Sequence, residues 1–131
     1  MREAVFRYQF GHNGSGQKDR AAVYFLSLDT EFENKPQDPS PALMARFAQH
    51  KPRVEPRSHA QVSVDKGVVH RETGERGLIF RVTAITFVGA DVAIVEGGYY
   101  EGNMSSSGNT YRVERKDGVW VVTDDKMEWI S

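Results

Sequence analysis

The chain has no cysteine among its 131 residues, which excludes disulfide bonds, thiolate metal sites and cysteine nucleophiles. It also has no excess of charge of one sign, because 17 basic residues are balanced by 18 acidic ones. Nucleic-acid binding depends on a basic surface, so we expect no nucleic-acid partner. No apolar run has the length of a membrane span, and the first residues lack the apolar stretch of a signal peptide. We therefore expect a cytoplasmic protein with no membrane partner.

The composition is that of a folded domain. Hydrophobic residues make up 39% of the chain, and a chain of this length buries roughly two-thirds of its unfolded surface. No internal repeat and no linker divides the sequence. These observations predict a single α+β domain over residues 1–131.

The second half of the chain predicts an antiparallel β-sheet from about Leu78 to Trp129. Asp117-Gly118 is among the strongest short-range signals for a two-residue hairpin loop. Such a loop pairs Arg115 with Trp120, Val113 with Val122 and Tyr111 with Asp124. It also lays the Arg115 side chain over the indole of Trp120 on a buried face.

The first half predicts helices and short strands. Apolar residues at helical spacing indicate a helix over residues 2–13, which Asn13-Gly14 would end. The run Ala21–Leu28 reads as a short strand. Ser40-Pro41 is a typical helix start, and Pro52 would end that helix near Lys51. Residues 52–77 suggest one or two short strands. Together these elements predict a curved antiparallel sheet packed against two or three helices.

Three segments of the second half carry a family resemblance: Gly97–Glu101, Gly108–Val113 and Arg115–Val122. They resemble the closing strands of the nuclear-transport-factor-2-like (cystatin-like) superfamily, whose members often end in a basic–Asp-Gly–x-Trp–x-aliphatic hairpin. The resemblance implies a cone-shaped fold with a ligand pocket between the helices and the curved sheet. It also implies either a small enzyme or a non-catalytic binding and dimerising domain. No catalytic motif of the family matches this chain residue by residue, so none is carried over.

The most prominent candidate site is a polar group on the predicted sheet. A Gly89-Ala90 loop would pair Thr83 with Glu96 and Arg81 with Gly98. The face would then be apolar, with Arg81 and Glu96 on a diagonal and Tyr100 beyond them, which is typical of a ligand pocket. The alternative is a cross-strand salt bridge on the solvated face. A slip of one residue in the loop would put Arg81 and Glu96 on opposite faces.

Other polar motifs have simpler interpretations. The glycine-rich segment Gly11–Lys18 lacks the Walker spacing and ends a helix, so we interpret it as a connector. The four histidines show no recognised ligand spacing and are interpreted as surface or loop residues, although a two-histidine site built across the fold stays open. The alternating acids Asp29, Glu31 and Glu33 lack the glycine of a calcium loop and suggest a solvated loop. The sequence thus predicts no metal and no cofactor.

Two main hypotheses for function follow. The first is a domain that binds an unknown small molecule and forms a homodimer through its sheet. Its expected ligand-binding residues are Tyr24, Arg81, Thr83, Glu96 and Tyr100. The second is a small isomerase, cyclase or hydrolase that uses Glu96 or a pocket histidine, with no catalytic residue assigned. A Glu96 on the solvent side would contradict that use of Glu96. A third possibility is a protein-interaction module that offers a sheet edge or the 104–108 loop.

Overall fold

A mixed six-stranded β-sheet forms the centre of the fold. The computed structural model describes residues 1–15, 20–28, 37–102 and 105–131. Within these ranges the helices are α1 (Arg2–Gly11) and α2 (Pro41–Ala45). The strands are β1 (Val23–Ser27), β2 (Arg53–Pro56), β3 (Ala60–Ser63), β4 (Gly67–His70), β5 (Gly77–Gly89), β6 (Val92–Gly102), β7 (Ser105–Lys116) and β8 (Val119–Ile130). A short 3-10 turn, Arg57–His59, joins β2 to β3.

The strands of the large sheet lie in the order β2-β1-β5-β6-β7-β8. Strand β1 pairs in parallel with both β2 and β5, whereas β5 to β8 are antiparallel, and β3 and β4 form a separate hairpin. The predicted strand at Ala21–Leu28 is therefore confirmed, and all five residues of β1 are buried. Its apolar run, interrupted only by Ser27, suits a strand that is covered on both faces.

Two hydrophobic clusters lie on the two faces of the sheet. Helix α1 covers one face with the buried side chains of Val5, Phe6, Gln9 and Phe10. The β3–β4 hairpin contributes to the cluster on the other face. That second cluster comprises Val23, Phe25, Ala60, Val68, Ile79 and Tyr100.

The predicted fold class is wrong, because two or three helices do not pack on the sheet. The described residues are mostly β-structure with a single longer helix, α1, of 10 residues, and the sheet is mixed. Helix α2 does begin as predicted, with the Ser40 hydroxyl accepting from the Leu43 N–H at 3.2 Å and Pro41 in the first turn. It ends at Ala45, well before Lys51, and none of its residues is buried. A helix with so little buried surface gains too little from packing to extend further.

The cone-shaped arrangement that the family resemblance implies is therefore also wrong for this chain. The predicted N-terminal helix is confirmed, and it ends where the Asn13 amide donates to the carbonyl of Gln9 at 2.9 Å. No helix in the described ranges has the length and apolar content needed to cross a bilayer.

The Asp117-Gly118 hairpin is confirmed. Both residues have positive φ, 53° and 79°, as a type I′ turn requires. Arg115 pairs with Trp120, and its guanidinium lies 5.6 Å from the indole centroid, over a side chain that is only partly buried. Further along, a register shift leaves Thr123 without a direct partner, so Tyr111 pairs with Asp125 and not with Asp124.

The β5–β6 hairpin differs from the predicted one by a residue. Gly89 pairs with Val92, so the loop is Ala90-Asp91 and not Gly89-Ala90. One register shift follows at Val88, and a second at Thr83 restores the predicted pairing of Arg81 with Gly98. The two bulges of β5 together offset the shift of the loop, and the second one leaves Thr83 without a direct partner.

Candidate functional site

The structure separates the five side chains that sequence analysis grouped. Tyr24 is buried in the core beneath α1, beside Phe10 and Phe80, whereas Tyr100 belongs to the cluster on the opposite face. Thr83 lies in the bulge, where its hydroxyl donates to the Glu96 carbonyl at 3.3 Å. Glu96 is exposed, and its carboxylate makes no ion pair with any described residue. An exposed Glu96 cannot serve as a pocket acid.

Arg81, on β5, contacts three other strands. Only 5% of the residue is exposed, and its guanidinium donates to the carbonyls of Ser107 at 2.6 Å and Tyr99 at 3.3 Å. It also lies 5.6 Å from the ring of Trp129 on β8. Gly98, its cross-strand partner, has no room for a Cβ, which would lie 2.8 Å from the guanidinium. These contacts give Arg81 a role in holding β5, β6, β7 and β8 together.

A cavity of about 370 Å³ lies between α1 and the last strands of the sheet. We call it the helix–sheet pocket. None of the five predicted ligand-binding residues lines it. Its polar wall is formed by Tyr8, His12, Asn109 and Asp125, and its apolar wall includes Met127 and Ile130.

A hydrogen-bonded chain holds the polar wall in place. The Asn109 amide donates to Asp125 Oδ1 at 2.7 Å, and Asn109 Oδ1 accepts from the Ser107 hydroxyl at 2.6 Å. Burial raises the pKa of the Tyr8 hydroxyl, and the nearby carboxylate of Asp125, to which it is hydrogen bonded, raises it further. Tyr8 is therefore protonated at neutral pH and acts as a donor to Asp125.

His12 completes the wall as an acceptor. Its ring stacks on Tyr8, with centroids 4.0 Å apart, and its Nδ1 lies 2.9 Å from the Tyr8 carbonyl. Since a carbonyl only accepts, Nδ1 carries the proton and the neutral ring presents the Nε2 lone pair. Sequence analysis missed this pocket because it expected Asp124, one residue earlier, opposite Tyr111. The i, i+4 spacing of Tyr8 and His12 on a predicted helix was the available signal.

A second polar group, which we call the Glu55 cluster, comprises Glu55, His59 and His70. Glu55 lies on the edge strand β2, His59 ends the 3-10 turn, and His70 ends β4. Glu55 Oε1 lies 2.7 Å from His59 Nδ1 and 3.0 Å from His70 Nε2, and Oε2 accepts from Arg53. Burial alone would raise the pKa of Glu55, but the hydrogen bonds from His59, Arg53 and His70 together outweigh it and lower that pKa to about 2. An ionised carboxylate only accepts, so both histidine nitrogens that face it carry protons.

The residue types of the Glu55 cluster are those of a metal centre. One ligand atom from each residue lies within 4.8 Å of the other two. However, His70 Nδ1 accepts from the backbone N–H groups of Glu72 at 3.1 Å and Thr73 at 3.3 Å. Histidine ligands usually donate from their second nitrogen, which leaves the first one free for the metal. Here the backbone requires the opposite tautomer, with the proton on Nε2, so His70 does not fit a metal.

The sequence suggested surface or loop histidines and left a two-histidine site across the fold open, and the structure joins His59 and His70 through Glu55. Residues spaced i, i+4 are neighbours on an α-helix, but Glu55 lies on β2 and His59 in the 3-10 turn. The spacing alone therefore did not predict their contact. Several residues named from the sequence lie outside the described ranges. These are Gly16, Gln17 and Lys18 of the glycine-rich segment, the acids Asp29, Glu31 and Glu33, and Met104.

Comparison of the chain with protein-family models, with curated proteins and with solved structures finds no match.

Proposed function

We propose that the chain binds a small organic molecule with a protonated amine in the helix–sheet pocket. The observation that supports this is the polarity of the wall. Asp125 is an acceptor, His12 uses its Nδ1–H on the Tyr8 carbonyl and turns Nε2 to the pocket, and the Tyr8 hydroxyl is already used as a donor to Asp125. A ligand that donates hydrogen bonds and carries positive charge complements this wall.

The charge of the pocket supports the same ligand class. Among the described residues that line it, Asp125 is the only acidic one, and no lysine or arginine is among them. The partly exposed ring of Tyr8 offers aromatic surface that attracts cations. Met127 and Ile130 provide apolar surface for the body of the molecule. A cavity of about 370 Å³ suits a ligand with one ring and a short amine-bearing arm.

The proposal is tested with three ligands that differ only in the head group: phenethylamine, 2-phenylethanol and 3-phenylpropionate. Titration calorimetry or ligand-observed NMR measures their affinities for the wild-type chain. We expect the amine to bind best and the carboxylate worst, because a second negative charge beside Asp125 is repelled. Tighter binding of the carboxylate would contradict the proposal.

Two neighbouring aspartates provide a matched pair of variants. Asp125→Asn removes the charge in the pocket, and loss of a charged hydrogen bond costs about 2 kcal/mol, or about thirtyfold in the affinity for phenethylamine. Asp124→Asn makes the same chemical change one residue away, at an exposed position that pairs with Arg112. We expect this control to bind as the wild type does. Equal affinities for the two variants would place the amine elsewhere.

We also propose that the chain forms a homodimer through its sheet. Strand β8 is an edge of the six-stranded sheet, and it carries the exposed apolar side chains of Val119, Val121, Met127 and Ile130. A long edge strand of this kind offers unpaired backbone groups to a second strand. Light scattering at protein concentrations of tens of micromolar measures the oligomeric state. A monomer would contradict the proposal, and a dimer that Val121→Lys dissociates would support it.

A further inference from the structure

The pairing of His59 with Glu55 fixes the state of its ring. Because Glu55 is an ionised acceptor, His59 Nδ1 carries a proton, so Nε2 is the nitrogen whose lone pair is free in the unprotonated ring. Half of the His59 side chain is exposed, and its Nε2 has no partner among the described residues. Glu55 is itself held by Arg53 and by His70, so the carboxylate cannot turn away from the imidazole.

The chain contains a natural comparison for this histidine. His12 has the same tautomer, but its Nδ1 donates to a neutral carbonyl at 2.9 Å. When Nε2 attacks an electrophile, positive charge develops on the ring. A carboxylate at Nδ1 stabilises that charge more than a neutral carbonyl does. His59 therefore has the environment of an activated nucleophile, and His12 does not.

A cavity of about 310 Å³ lies beside His59. Arg71 is on its wall, where the guanidinium donates to the carbonyls of Ser58 at 3.2 Å and Ala60 at 3.0 Å. These two hydrogen bonds hold the Arg71 guanidinium in place. They leave other N–H groups of Arg71 available as donors, because a guanidinium has five of them. A positive donor near a nucleophile suits a reaction in which an oxyanion develops.

We propose that His59 is a catalytic nucleophile toward carboxylic esters that bind in this cavity, with Glu55 as its positioning residue. The Nε2 lone pair forms a bond to the acyl carbon, and the ester C–O bond breaks with its electron pair leaving on the alcohol or phenol oxygen. The Nδ1 proton stays on the hydrogen bond to Glu55, and Arg71 faces the acyl oxygen. Water then attacks the acyl-imidazole, the C–N bond breaks with its electron pair returning to Nε2, and the acid and one proton are released.

The first experiment measures the reactivity of each histidine. Diethyl pyrocarbonate is added at about pH 8, where an ordinary imidazole is neutral, and peptide mass spectrometry follows each site over time. We expect His59 to react on the order of fivefold faster than His12 in the wild type. In Glu55→Gln, the reaction rate of His59 should fall to that of His12. An unchanged rate at His12 in the variant shows that its fold is intact. Equal rates at the two histidines in the wild type would overturn the proposal.

The second experiment measures turnover with p-nitrophenyl acetate as the probe. We expect His59→Gln to lose most of the hydrolysis catalysed by the wild-type chain, a reduction on the order of tenfold. The matched control His50→Gln changes a histidine whose Nδ1 is bonded to the Pro52 carbonyl, away from the cavity, and it should keep the wild-type rate. Because His59 is half exposed and its replacement removes one hydrogen bond to Glu55, we expect the variant to stay folded. Hydrolysis by His59→Gln at the wild-type rate would overturn the proposal whatever the result for Glu55→Gln.

A titration with zinc chloride distinguishes a nucleophile from a metal ligand. The tautomer of His70 predicts no tight binding, so calorimetry should detect no submicromolar site, roughly the affinity that a structural zinc site exceeds. Tight binding that is lost in both His59→Gln and His70→Gln would show that the cluster is a metal centre, and it would overturn the proposal.

Discussion

The Glu55 carboxylate makes the stability of the fold depend on pH in a defined range. Its pKa is about 2 in the folded chain, against 4.5 for an unperturbed glutamate, since hydrogen bonds from His59, Arg53 and His70 outweigh the effect of burial. A carboxylate whose pKa is lowered by folding stabilises the folded state above its unfolded pKa. The stabilisation is complete above pH 4.5 and is lost as the pH falls from there toward 2.

The size of the effect follows from the two pKa values. The full difference corresponds to about 3 kcal/mol, of which about 2 kcal/mol is lost between pH 7 and pH 3. The Glu55 side chain is 19% exposed, but Arg53 and His59 are 45% and 50% exposed, so water screens the interactions. With that screening we expect about 1 kcal/mol.

Urea denaturation at about pH 7 and about pH 3 measures this loss. Glu55→Gln should be less stable than the wild type at the higher pH, and the difference should shrink by about 1 kcal/mol at the lower one. Glu96→Gln is the matched control, because the exposed Glu96 side chain makes no ion pair with the described residues, and it should follow the wild type. A difference between wild type and Glu55→Gln that does not change with pH would refute the reasoning.

Two further predictions concern the sheet beneath the helix–sheet pocket. A Cβ at Gly98 would lie 2.0 Å from the Ser107 carbonyl oxygen, so Gly98→Ala should destabilise the chain by more than about 2 kcal/mol. Gly11→Ala, where a Cβ meets nothing within 4 Å, should be neutral or slightly stabilising, and equal melting temperatures for the two variants would contradict the packing at Gly98. Tyr111→Phe removes a buried hydroxyl that accepts from the Gln9 amide at 3.2 Å, and it should lower the free energy of unfolding by about 1 kcal/mol. Urea denaturation measures this loss, and an unchanged midpoint would show that the bond does not stabilise the fold.

Short sequence motifs correctly predicted a turn and a helix start, because neighbouring residues alone determine both. Asp117-Gly118 specifies positive φ at two successive positions, and the structure has both. Ser40-Pro41 starts a helix because a hydroxyl and a fixed φ act within one turn. The length of that helix was beyond local signals, because it depends on how much of its surface the rest of the chain buries.

Long-range pairing was not predictable in the same way. The run Ala21–Leu28 predicted a strand, but nothing in it specified that β2 and β5 would be its parallel partners. Its burial on both faces follows from that position between two strands, and an apolar run interrupted only by Ser27 is the one hint of it. The Glu55 cluster is a similar case, since Glu55, His59 and His70 come from β2, the 3-10 turn and β4, and only the packing of these elements joins them.

The bulge at Thr123 shows why the candidate site was harder to predict than the sheet. Regular pairing outward from Asp117-Gly118 places Asp124 opposite Tyr111, on the face that α1 covers. The extra residue at Thr123 moves each later residue of β8 by one position, so Asp125 takes that place and bonds with Asn109 and Tyr8. A shift of one residue exchanges the two faces of a strand. Because Asp124 and Asp125 are identical neighbours, an aspartate lies opposite Tyr111 with or without the bulge, so the sequence does not reveal the shift. The comparison of Asp125→Asn with Asp124→Asn therefore tests the register of β8 together with the ligand, because the two variants exchange roles if the bulge is absent.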